Sequence, residues 1–475
     1  MRVDVAVVGA GPAGGNAALE AARHRLSVAL IEESPAPGGQ VWRAPAPGLD
    51  AGADTDARAG AAMRAAIAAA PIERRLGARV WLIGREAHGW RIDLVREGGA
   101  ETVRADALLL ATGAHERIVP FPGWILPGVI GLAAATILLK SQRVLPGQRV
   151  VVAGCGPLLA VVAAGILKAG GQVAAVVDLD SRSDWFSALP ALAARPDLLA
   201  RGAGWVARIL RAGVPILSRH TVVAADGEDA VQRVRVAPCD GDGAPMPGAV
   251  ARTFEADALA IGHGLVPDTA ATRLLRADHR FDPDRGGWHA VRDADMCASV
   301  PGLWLAGEVG GIGGAVVAEL SGQLAGASVA HAAGRLDAAS YRAIAEPLRA
   351  RLARAARAGA AMARRMHPRP GLIAAIPPDT VVCRCEDITR AELEAAIAEG
   401  ATEVNQLKQW TRCGMGPCQG RMCGEAASGI LARHVGGREQ AGLWTGRAPL
   451  RPVPMEALLG TFDYADIPIP PPAPP

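Results

Sequence analysis

The chain opens with a short apolar run, a glycine-rich turn and an alanine-rich stretch, an order that predicts a β-α-β unit. Residues 3–8 (VDVAVV) favour a buried strand and residues 9–14 (GAGPAG) a tight turn. A helix over 13–24 and a second strand over 27–31 follow, and Glu32 ends that strand. Such a turn presents a helix N-terminus to a phosphate, and an acidic residue at this spacing binds a ribose. The unit therefore predicts nucleotide binding.

The same pattern returns in the middle of the chain. Residues 149–153 (RVVVA) favour a strand, 154–156 (GCG) a turn, 157–169 a helix and 173–177 a further strand that ends at Asp178. A terminal aspartate favours a free ribose hydroxyl, so NAD or ATP is expected here over NADP. The third small residue of the full turn motif is missing, and the alternative is a domain that keeps the fold without a cofactor. The contacts predicted in this second unit are Gly154, Gly156 and Asp178.

The remaining pattern predicts how the chain is divided into domains. A short strand at 303–306 and a helix from about 313 resume the first domain, and an arginine-rich helix over 341–367 ends at the prolines of 367–370. The predicted fold class is α/β, with two Rossmann-like dinucleotide-binding domains, the first interrupted by the second, and a small helical C-terminal cysteine domain. The boundaries are 1–118 and 296–340 for the first domain, 119–295 for the second, 341–376 for a helical linker, 377–435 for the cysteine domain and 436–475 for a proline-rich tail, which is expected to be disordered from 467 onward.

Composition narrows the classes of function. The 475 residues are half apolar, which is typical of a globular protein with two or three domains. A formal net charge of +3 is too small to indicate a nucleic-acid partner. The longest apolar stretches are too short to span a bilayer and no targeting segment is apparent, so a cytoplasmic location is expected. In that compartment the eight cysteines favour metal or redox chemistry over structural disulfides.

Three further motifs make the nucleotide prediction specific. Residues 37–40 (PGGQ) follow Glu32, residues 108–113 (LLLATG) end a predicted strand, and Gly307 precedes Glu308. Together with the first turn they resemble the two-dinucleotide-domain flavoproteins, the group of glutathione and thioredoxin reductases. The resemblance implies FAD, bound by the glycine stretch, the Ala-Thr-Gly strand end and the late glycine-acid pair. The FAD contacts predicted in this way are Gly9, Gly11, Pro12, Ala13, Gly14, Glu32, Gly39, Gln40, Val80, Ala111, Thr112, Gly113, Gly307 and Glu308.

The chain departs from the disulfide-reductase members of that group. No closely spaced cysteine pair follows the first glycine turn or interrupts the middle domain, where Cys155 and Cys239 stand alone. A relay between a flavin and a disulfide is therefore not expected. Cys155 is expected to fill a buried turn instead of reacting.

The C-terminal cysteines form the most specific metal-binding pattern of the chain. Four thiolates complete either a 2Fe–2S cluster or a structural zinc site. The stretch resembles the bacterioferritin-associated ferredoxin domain, which implies a 2Fe–2S cluster, although the second cysteine pair is wider here than in the small ferredoxin. The predicted ligands are Cys383, Cys385, Cys418 and Cys423, with Cys413 as a fifth candidate in place of Cys418 or Cys423.

From about residue 2 to 460 the chain resembles the larger, alpha-type subunits of bacterial amine-oxidising dehydrogenases. This group includes opine oxidases, D-hydroxyproline dehydrogenase and hydrogen cyanide synthase. Residues 111–117 (ATGAHER), 411–416 (TRCGMG) and 418–421 (CQGR) carry the likeness. The resemblance implies an electron-transfer subunit of an oxidoreductase that acts on CH–NH bonds. The expected partners are a D-amino-acid-oxidase-like FAD beta subunit, which oxidises a secondary amine or imino acid, and a small ferredoxin-like gamma subunit.

Two alternatives stay open at this stage. The first is a self-sufficient NADH-dependent flavin and iron–sulfur reductase, in which NADH alone bleaches the flavin. The second is a non-enzymatic scaffold or redox-sensing module with zinc at the cysteines. The sequence identifies no catalytic acid–base residues, and the substrate, the electron acceptor and the subunit stoichiometry stay open as well.

Overall fold

Both predicted β-α-β units are present in the computed structural model, which describes residues 1–49, 54–97, 99–367 and 369–459. In both units the strands and the helix begin and end within about one residue of the predicted bounds. Up to residue 118 the elements are β1 (Arg2–Val8), α1 (Pro12–Arg23), β2 (Val28–Glu32), α2 (Thr55–Ala69), β3 (Ile72–Leu76), β4 (Arg79–Glu86), β5 (Gly89–Arg96), β6 (Gly99–Leu110) and β7 (Ala114–Glu116).

The middle segment contains the second unit and a separate small antiparallel sheet. Its elements are β8 (Val129–Gly131), α3 (Leu132–Ile137), β9 (Arg149–Gly154), α4 (Leu158–Lys168), β10 (Gln172–Asp178), α5 (Arg182–Leu192), α6 (Pro196–Arg211), β11 (Ile216–Ser218), β12 (His220–Asp226), β13 (Arg233–Pro238), β14 (Arg252–Glu255), β15 (Ala258–Gly262), β16 (Leu265–Pro267), α7 (Ala270–Leu274), β17 (His279–Asp282) and β18 (Gly287–Ala290).

The chain then returns to the first domain and continues into the cysteine domain. The elements of this part are β19 (Leu303–Leu305), α8 (Ala315–Ala332), α9 (Ala338–Arg365), α10 (Pro370–Ala374), β20 (Val381–Cys383), β21 (Ile388–Thr389), α11 (Arg390–Ala398), α12 (Val404–Thr411), α13 (Gly424–Val435) and α14 (Arg438–Ala441). Helix α9 is the predicted arginine-rich helix, and it ends at Arg365, just before the predicted break.

The sheet of the first domain has the strand order β3-β2-β1-β6-β5-β4, and β19 pairs with β6. Strands β1, β2, β3, β6 and β19 are parallel, whereas β4 and β5 form an antiparallel extension. Strand β6 is long enough to pair with β5 at its start and with β1 and β19 at its end. Apolar side chains on both faces of this sheet are buried in two separate clusters, which explains why β1 is apolar on both sides.

The second domain repeats this design with a five-stranded parallel sheet in the order β11-β10-β9-β15-β8. The separate antiparallel sheet β12-β13-β14 packs against one face of it, where both sheets contribute to a common apolar cluster. In both domains the glycine turn follows the central strand, so that each turn lies at the carboxyl edge of a parallel sheet, where nucleotides bind in such folds.

Small residues allow helices α1 and α8 to pack closely over the first sheet. A Cβ on Gly322 would overlap the carbonyl oxygen of Ala13, and a Cβ on Gly326 would lie 2.5 Å from the carbonyl oxygen of Ala17. The alanine-rich composition of both helices therefore serves close helix contact as well as burial. Because α8 follows β19, this contact fixes the late segment around residue 307 against the first glycine turn.

The cysteine domain is a small helical unit, and its apolar core also includes Cys155 and Leu179 of the second domain. Helix α11 begins at a capping box, in which the side chain of Thr389 accepts from the amide of Glu392 and the Glu392 carboxylate accepts from the amide of Thr389 (2.8 Å). Residues 442–459 then cross back toward the first domain, where the amide of Leu450 donates to the carbonyl oxygen of Trp81 (2.7 Å). The predicted disorder from 467 onward lies outside the described residues.

Across the ranges that the structure describes, none of the helices combines the length and the apolar character needed to cross a membrane.

Candidate redox sites

The first glycine turn joins β1, α1 and β2 at the carboxyl edge of the sheet. Gly9 has a φ of +97°, and its amide donates to the carbonyl oxygen of Ile31 (2.8 Å). A Cβ on Gly14 would overlap the carbonyl oxygen of Gly9. These two glycines are therefore required by the turn itself and by the packing of the helix on the strand.

Gly11 lies on the open side of the same turn. It is the N-cap of α1, and no side chain caps the helix there. The nearest atom to a Cβ on Gly11 would be the Cα of Gly39, at 3.6 Å, and Gly39 itself has a φ of +57°. A dinucleotide pyrophosphate binds free backbone amides at the N-terminus of a helix, and the two glycines leave room for it to approach the backbone. This crevice therefore fits FAD.

Glu32 ends β2 as predicted, and it is buried. One carboxylate oxygen accepts from the amide of Ala10 (2.7 Å) and the other from the amide of Ser34 (2.8 Å). The carboxylate therefore also holds the glycine turn against the end of β2. Its predicted contact with a ribose remains a prediction.

The Ala-Thr-Gly strand end connects the first domain to α7 of the second domain. Thr112 Oγ1 donates to the carbonyl oxygen of Asp268 (2.9 Å), and the amide of Asp268 donates to the carbonyl oxygen of Gly113 (2.9 Å). Asp268 was not predicted, since no motif marks it. Its position explains how the end of β6 is fixed relative to the chain that follows β16.

The late glycine-acid pair lies beside the first turn. A Cβ on Gly307 would be 2.8 Å from the Cβ of Ala13, so Gly307 allows this close approach. Glu308 accepts from the amide of Gly314 (3.2 Å), and burial raises the pKa of Glu308. Arg292, which sequence reasoning missed, donates to the carbonyl oxygen of Gly307 (3.2 Å), and burial lowers the pKa of Arg292 to about 10.

The other predicted FAD contacts surround this crevice or lie on the sheet beside it. Pro12 and Ala13 are buried at the start of α1, and the amide of Ala111 donates to the carbonyl oxygen of Val8 (2.9 Å). Gln40 is exposed, and Val80 is on β4. Their roles in FAD binding stay predictions.

The second glycine turn forms as predicted, but it is covered by another part of the chain. A Cβ on Gly154 would overlap the carbonyl oxygen of Gly262, and a Cβ on Gly156 would lie 2.6 Å from Cγ of Met366. Met366 follows the last residue of α9. Cys155 is buried, as expected, and this burial raises the pKa of its thiol to about 12.

Asp178, the predicted ribose ligand, already has partners within the chain. Its carboxylate accepts from the amide of Asp180 (2.9 Å) and from Nε1 of Trp185 (3.1 Å), and burial raises its pKa to about 7. Asp180 pairs with Arg369, which precedes α10. The prediction of NAD or ATP at this turn stays a prediction that no comparison supports.

A buried ionic cluster joins the second domain to the cysteine domain, next to a cavity of about 310 Å³. The Arg117 side chain is only 2% exposed, and it donates to Glu425 Oε2 (3.2 Å) and to the carbonyl oxygens of His263, Gly286 and Met366. Glu425 also accepts from Arg438 (2.7 Å). Burial alone would raise the pKa of Glu425, but Arg438 and Arg117 outweigh it and lower the pKa to about 2.

The C-terminal cysteines converge on one site. Sγ atoms of three buried cysteines, Cys383, Cys413 and Cys423, lie within 4.8 Å of one another. Cys418 is in sulfur contact with both Cys423 and Cys385. The fold therefore brings together the four predicted ligands and the fifth candidate, and it places Cys413 in the buried group.

Backbone amides point at several of these sulfur atoms. The amides of Gly414 and Glu386 help to lower the pKa of Cys383, and the amide of Cys418 acts in the same direction on the pKa of Cys385. Contacts from the thiols of Cys413 and Cys423 hold the pKa of Cys383 well below its usual range. Five converging thiols with amide donors to sulfur are a donor set that fits a 2Fe–2S cluster, because such amides stabilise cluster thiolates.

A C-terminal strap, residues 442–459, connects this site to the flavin crevice. The indole of Trp444 donates to Ser428 Oγ (2.9 Å). Its ring packs closely against Gly414, since a Cβ on Gly414 would lie 3.1 Å from the ring. Further along the strap, Arg451 pairs with Asp268 (3.2 Å), whose backbone contacts the Ala-Thr-Gly strand end. None of these strap contacts was predicted, since the tail is identified by its proline and glycine content alone.

Comparisons with known proteins agree with this architecture. Residues 3–334 match the family described as pyridine nucleotide-disulphide oxidoreductase, and residues 381–433 match the BFD-like 2Fe-2S binding domain. The chain is 35% identical over 472 residues to an opine oxidase subunit from Rhizobium meliloti (strain 1021), covering 95% of this chain and 97% of that one. It is also 35% identical over 465 residues to hydrogen cyanide synthase subunit HcnB of Pseudomonas protegens, covering 96% of this chain and 97% of that one.

Among solved structures, L-proline dehydrogenase from P. horikoshii has the same fold. The two chains superimpose with a TM-score of 0.69 at 22% sequence identity, over 97% of this chain and 80% of that chain. The predicted fold class, two dinucleotide-binding domains followed by a small 2Fe–2S domain, is confirmed by these matches.

Proposed function

Because the chain belongs to the pyridine nucleotide-disulphide oxidoreductase family and carries a BFD-like 2Fe-2S binding domain, we propose that it is the electron-transfer subunit of a heteromeric dehydrogenase. The chain is a flavin oxidoreductase, with FAD bound in the N-terminal domain and the cluster at the C-terminal cysteines. The enzyme that we propose oxidises a secondary amine or imino acid, such as an opine or D-hydroxyproline. Two relatives with full-length similarity bear the names of subunits, which supports a heteromer.

Amine oxidation itself takes place in a partner, a D-amino-acid-oxidase-like FAD beta subunit. A small ferredoxin-like gamma subunit and a cytoplasmic location complete the proposal. The subunit described here receives electrons from the partner and transfers them onward. The resemblance noted in the sequence supports this division.

The observation that carries the proposal is the continuous connection between the two redox sites. The strap contacts the cysteine site through Trp444, and it contacts the flavin crevice through Arg451 and Asp268. Arg273 of α7 also donates to the carbonyl oxygen of Trp444 (2.9 Å). Electron transfer requires a fixed distance between the two cofactors. These contacts hold the two sites in a fixed relative position, which supports a function in electron transfer.

Each site has residues with a defined task in this function. When bound, FAD supplies hydride and single-electron chemistry, and a 2Fe–2S cluster passes single electrons. Gly11 and the first-turn amides of α1 bind the pyrophosphate, and Glu32 orients the turn and the ribose. The cysteine thiolates hold the iron pair, while the amides of Gly414 and Glu386 stabilise negative charge on Cys383 sulfur.

The test compares the isolated chain with the chain co-purified with its beta subunit. We expect the isolated chain to contain FAD, iron and acid-labile sulfide and to oxidise no opine or D-hydroxyproline. Adding the beta subunit should produce amine-dependent reduction of an artificial acceptor. A complex that carries Cys383→Ala is the matched control, because it should still reduce the partner flavin while losing transfer through the cluster.

Three results would contradict the proposal. Amine oxidation by the isolated chain at the rate of the complex would place the chemistry in this subunit. Catalytic reduction of the flavin by NADH alone would favour the self-sufficient NADH-dependent reductase. Zinc without sulfide at the cysteines would favour the redox-sensing scaffold instead.

A further inference from the structure

Five cysteines meet at a site that requires four. The sulfur atoms of Cys383, Cys413 and Cys423 lie within 4.8 Å of one another, Cys418 contacts Cys423, and Cys385 contacts Cys418. A 2Fe–2S cluster takes four thiolates, so one cysteine is left over whichever set is used. This inference rests on the presence of the cluster, as proposed above.

Cys413 and Cys385 differ in their surroundings. Cys413 is fully buried, its amide donates to Thr411 Oγ1 (3.2 Å), and its thiol contacts two other cysteines, Cys383 and Cys423. Cys385 is partly exposed, and its thiol contacts only one cysteine, Cys418. Solvent and oxidants therefore reach Cys385 before they reach Cys413.

Five cysteines allow five sets of four, and two of these sets differ only in their fourth ligand. Both contain Cys383, Cys418 and Cys423, and the fourth ligand is either Cys385 or Cys413. The set with Cys385 matches the sequence pattern, and in the other set Cys413 lies within 4.8 Å of Cys383 and Cys423. Cys385 and Cys413 are therefore both positioned to complete the site.

We propose that Cys413 is a reserve ligand that completes the 2Fe–2S site when Cys385 is lost. The exchange breaks the bond between iron and the sulfur of Cys385 and forms a bond between iron and the sulfur of Cys413. The proton of the Cys413 thiol would pass to the released Cys385 thiolate, or to water where residue 385 is alanine, and the oxidation state of the iron would not change. The cluster would thereby persist without its partly exposed ligand.

Alanine variants of the full chain test this proposal, since alanine cannot bind iron. The variants are Cys385→Ala, Cys413→Ala and the double variant, with Cys383→Ala as a control that removes a shared ligand. Iron and sulfide content, visible absorption and the EPR spectrum of the dithionite-reduced protein are measured for each, together with flavin content as a measure of correct folding.

We expect wild type and Cys413→Ala to contain about two irons per chain with the same EPR spectrum. Cys385→Ala should keep its iron but have shifted g values, because a different sulfur completes the site. The double variant should lose iron about tenfold or more while it keeps its flavin.

Several results would overturn the proposal. If Cys385→Ala loses as much iron as Cys383→Ala, no reserve exists, and this comparison decides the matter even if the double variant does not fold. If the double variant keeps its iron, the replacement comes from outside the five cysteines. If Cys413→Ala alone loses iron, Cys413 is a resident ligand. Absence of iron from the wild type would instead contradict the proposed function.

Discussion

Removing the charge of Glu425 should destabilise the folded protein at neutral pH, because it leaves the buried Arg117 without a counter-charge. Glu425 is 15% exposed, and it neutralises Arg117, which is 2% exposed, as well as Arg438. In Glu425→Gln the Arg117 guanidinium keeps its three carbonyl partners but has no counter-charge. Breaking a buried ion pair from one side costs about 3–5 kcal/mol, so the free energy of unfolding should fall by about that amount.

The pKa of Glu425 gives an independent magnitude and a pH dependence. A carboxyl whose pKa falls from 4.5 to about 2 on folding contributes about 3 kcal/mol at neutral pH. Because the folded pKa is the lower one, this contribution is complete above the unfolded pKa and is lost as the pH falls toward the folded pKa. The difference between wild type and Glu425→Gln should therefore shrink steadily from about pH 5 to pH 2.

Urea unfolding of the full chain at several pH values measures both effects. Glu439→Gln, an exposed glutamate on α14, is the matched control and should change stability by less than about 0.5 kcal/mol. The reasoning would be refuted if Glu425→Gln were as stable as the control at pH 7. It would also be refuted if the loss of stability were the same at pH 7 and pH 3.

Three further predictions concern the cofactor sites. Gly11→Ala should fold normally, since its Cβ meets no atom closer than 3.6 Å, but it should purify with several-fold less flavin, whereas Gly84→Ala, which meets no atom within 4 Å, should keep full flavin content. Glu32→Gln should also release flavin. The glutamine side chain can accept through only one atom, so its NH2 group would face either the Ala10 or the Ser34 amide, which is itself a donor. Flavin fluorescence on dilution measures this loss. Trp444→Leu should lower iron content and leave flavin content unchanged, whereas Trp410→Leu, which removes a half-exposed indole of the same domain, should leave both unchanged.

The parts of the fold that sequence predicts are those in which local pattern and tertiary structure agree. Both β-α-β units have a buried strand, a glycine turn and a helix in immediate succession, and Gly9, Gly14 and Gly154 are each required by a neighbour in sequence or by the adjoining strand. Strands β4 and β5 were not predicted. Charged residues stand at both ends of β4 and alternate with apolar residues through much of β5, so both stretches resemble a solvated surface. Arg117 and Glu425 are far apart in sequence, and no spacing rule connects them.

At the cysteine site, too, the sequence does not determine the position of every residue. The cysteine pattern and its resemblance to the ferredoxin domain predict four ligands and leave Cys413 as a fifth candidate. Cys413 lies beside them because Arg412, which follows the last residue of α12, has the left-handed conformation (φ +63°) and turns the next residue into the core. That conformation is uncommon for a residue other than glycine and has no signal in the sequence.

The position of the cysteine domain also bears on the source of the electrons. Gly156, the glycine of the second turn that a pyrophosphate would approach, is covered by Met366, and the neighbouring Asp180 is engaged by Arg369. The side chains of Cys155 and Leu179 pack in the same apolar cluster as the core of the cysteine domain. A nicotinamide nucleotide at this turn would therefore compete with contacts that hold the cysteine domain in place. The strap contacts between the flavin crevice and the cysteine site involve none of these groups. The packing that disfavours NADH as the reductant is therefore compatible with the proposed supply of electrons by a partner subunit.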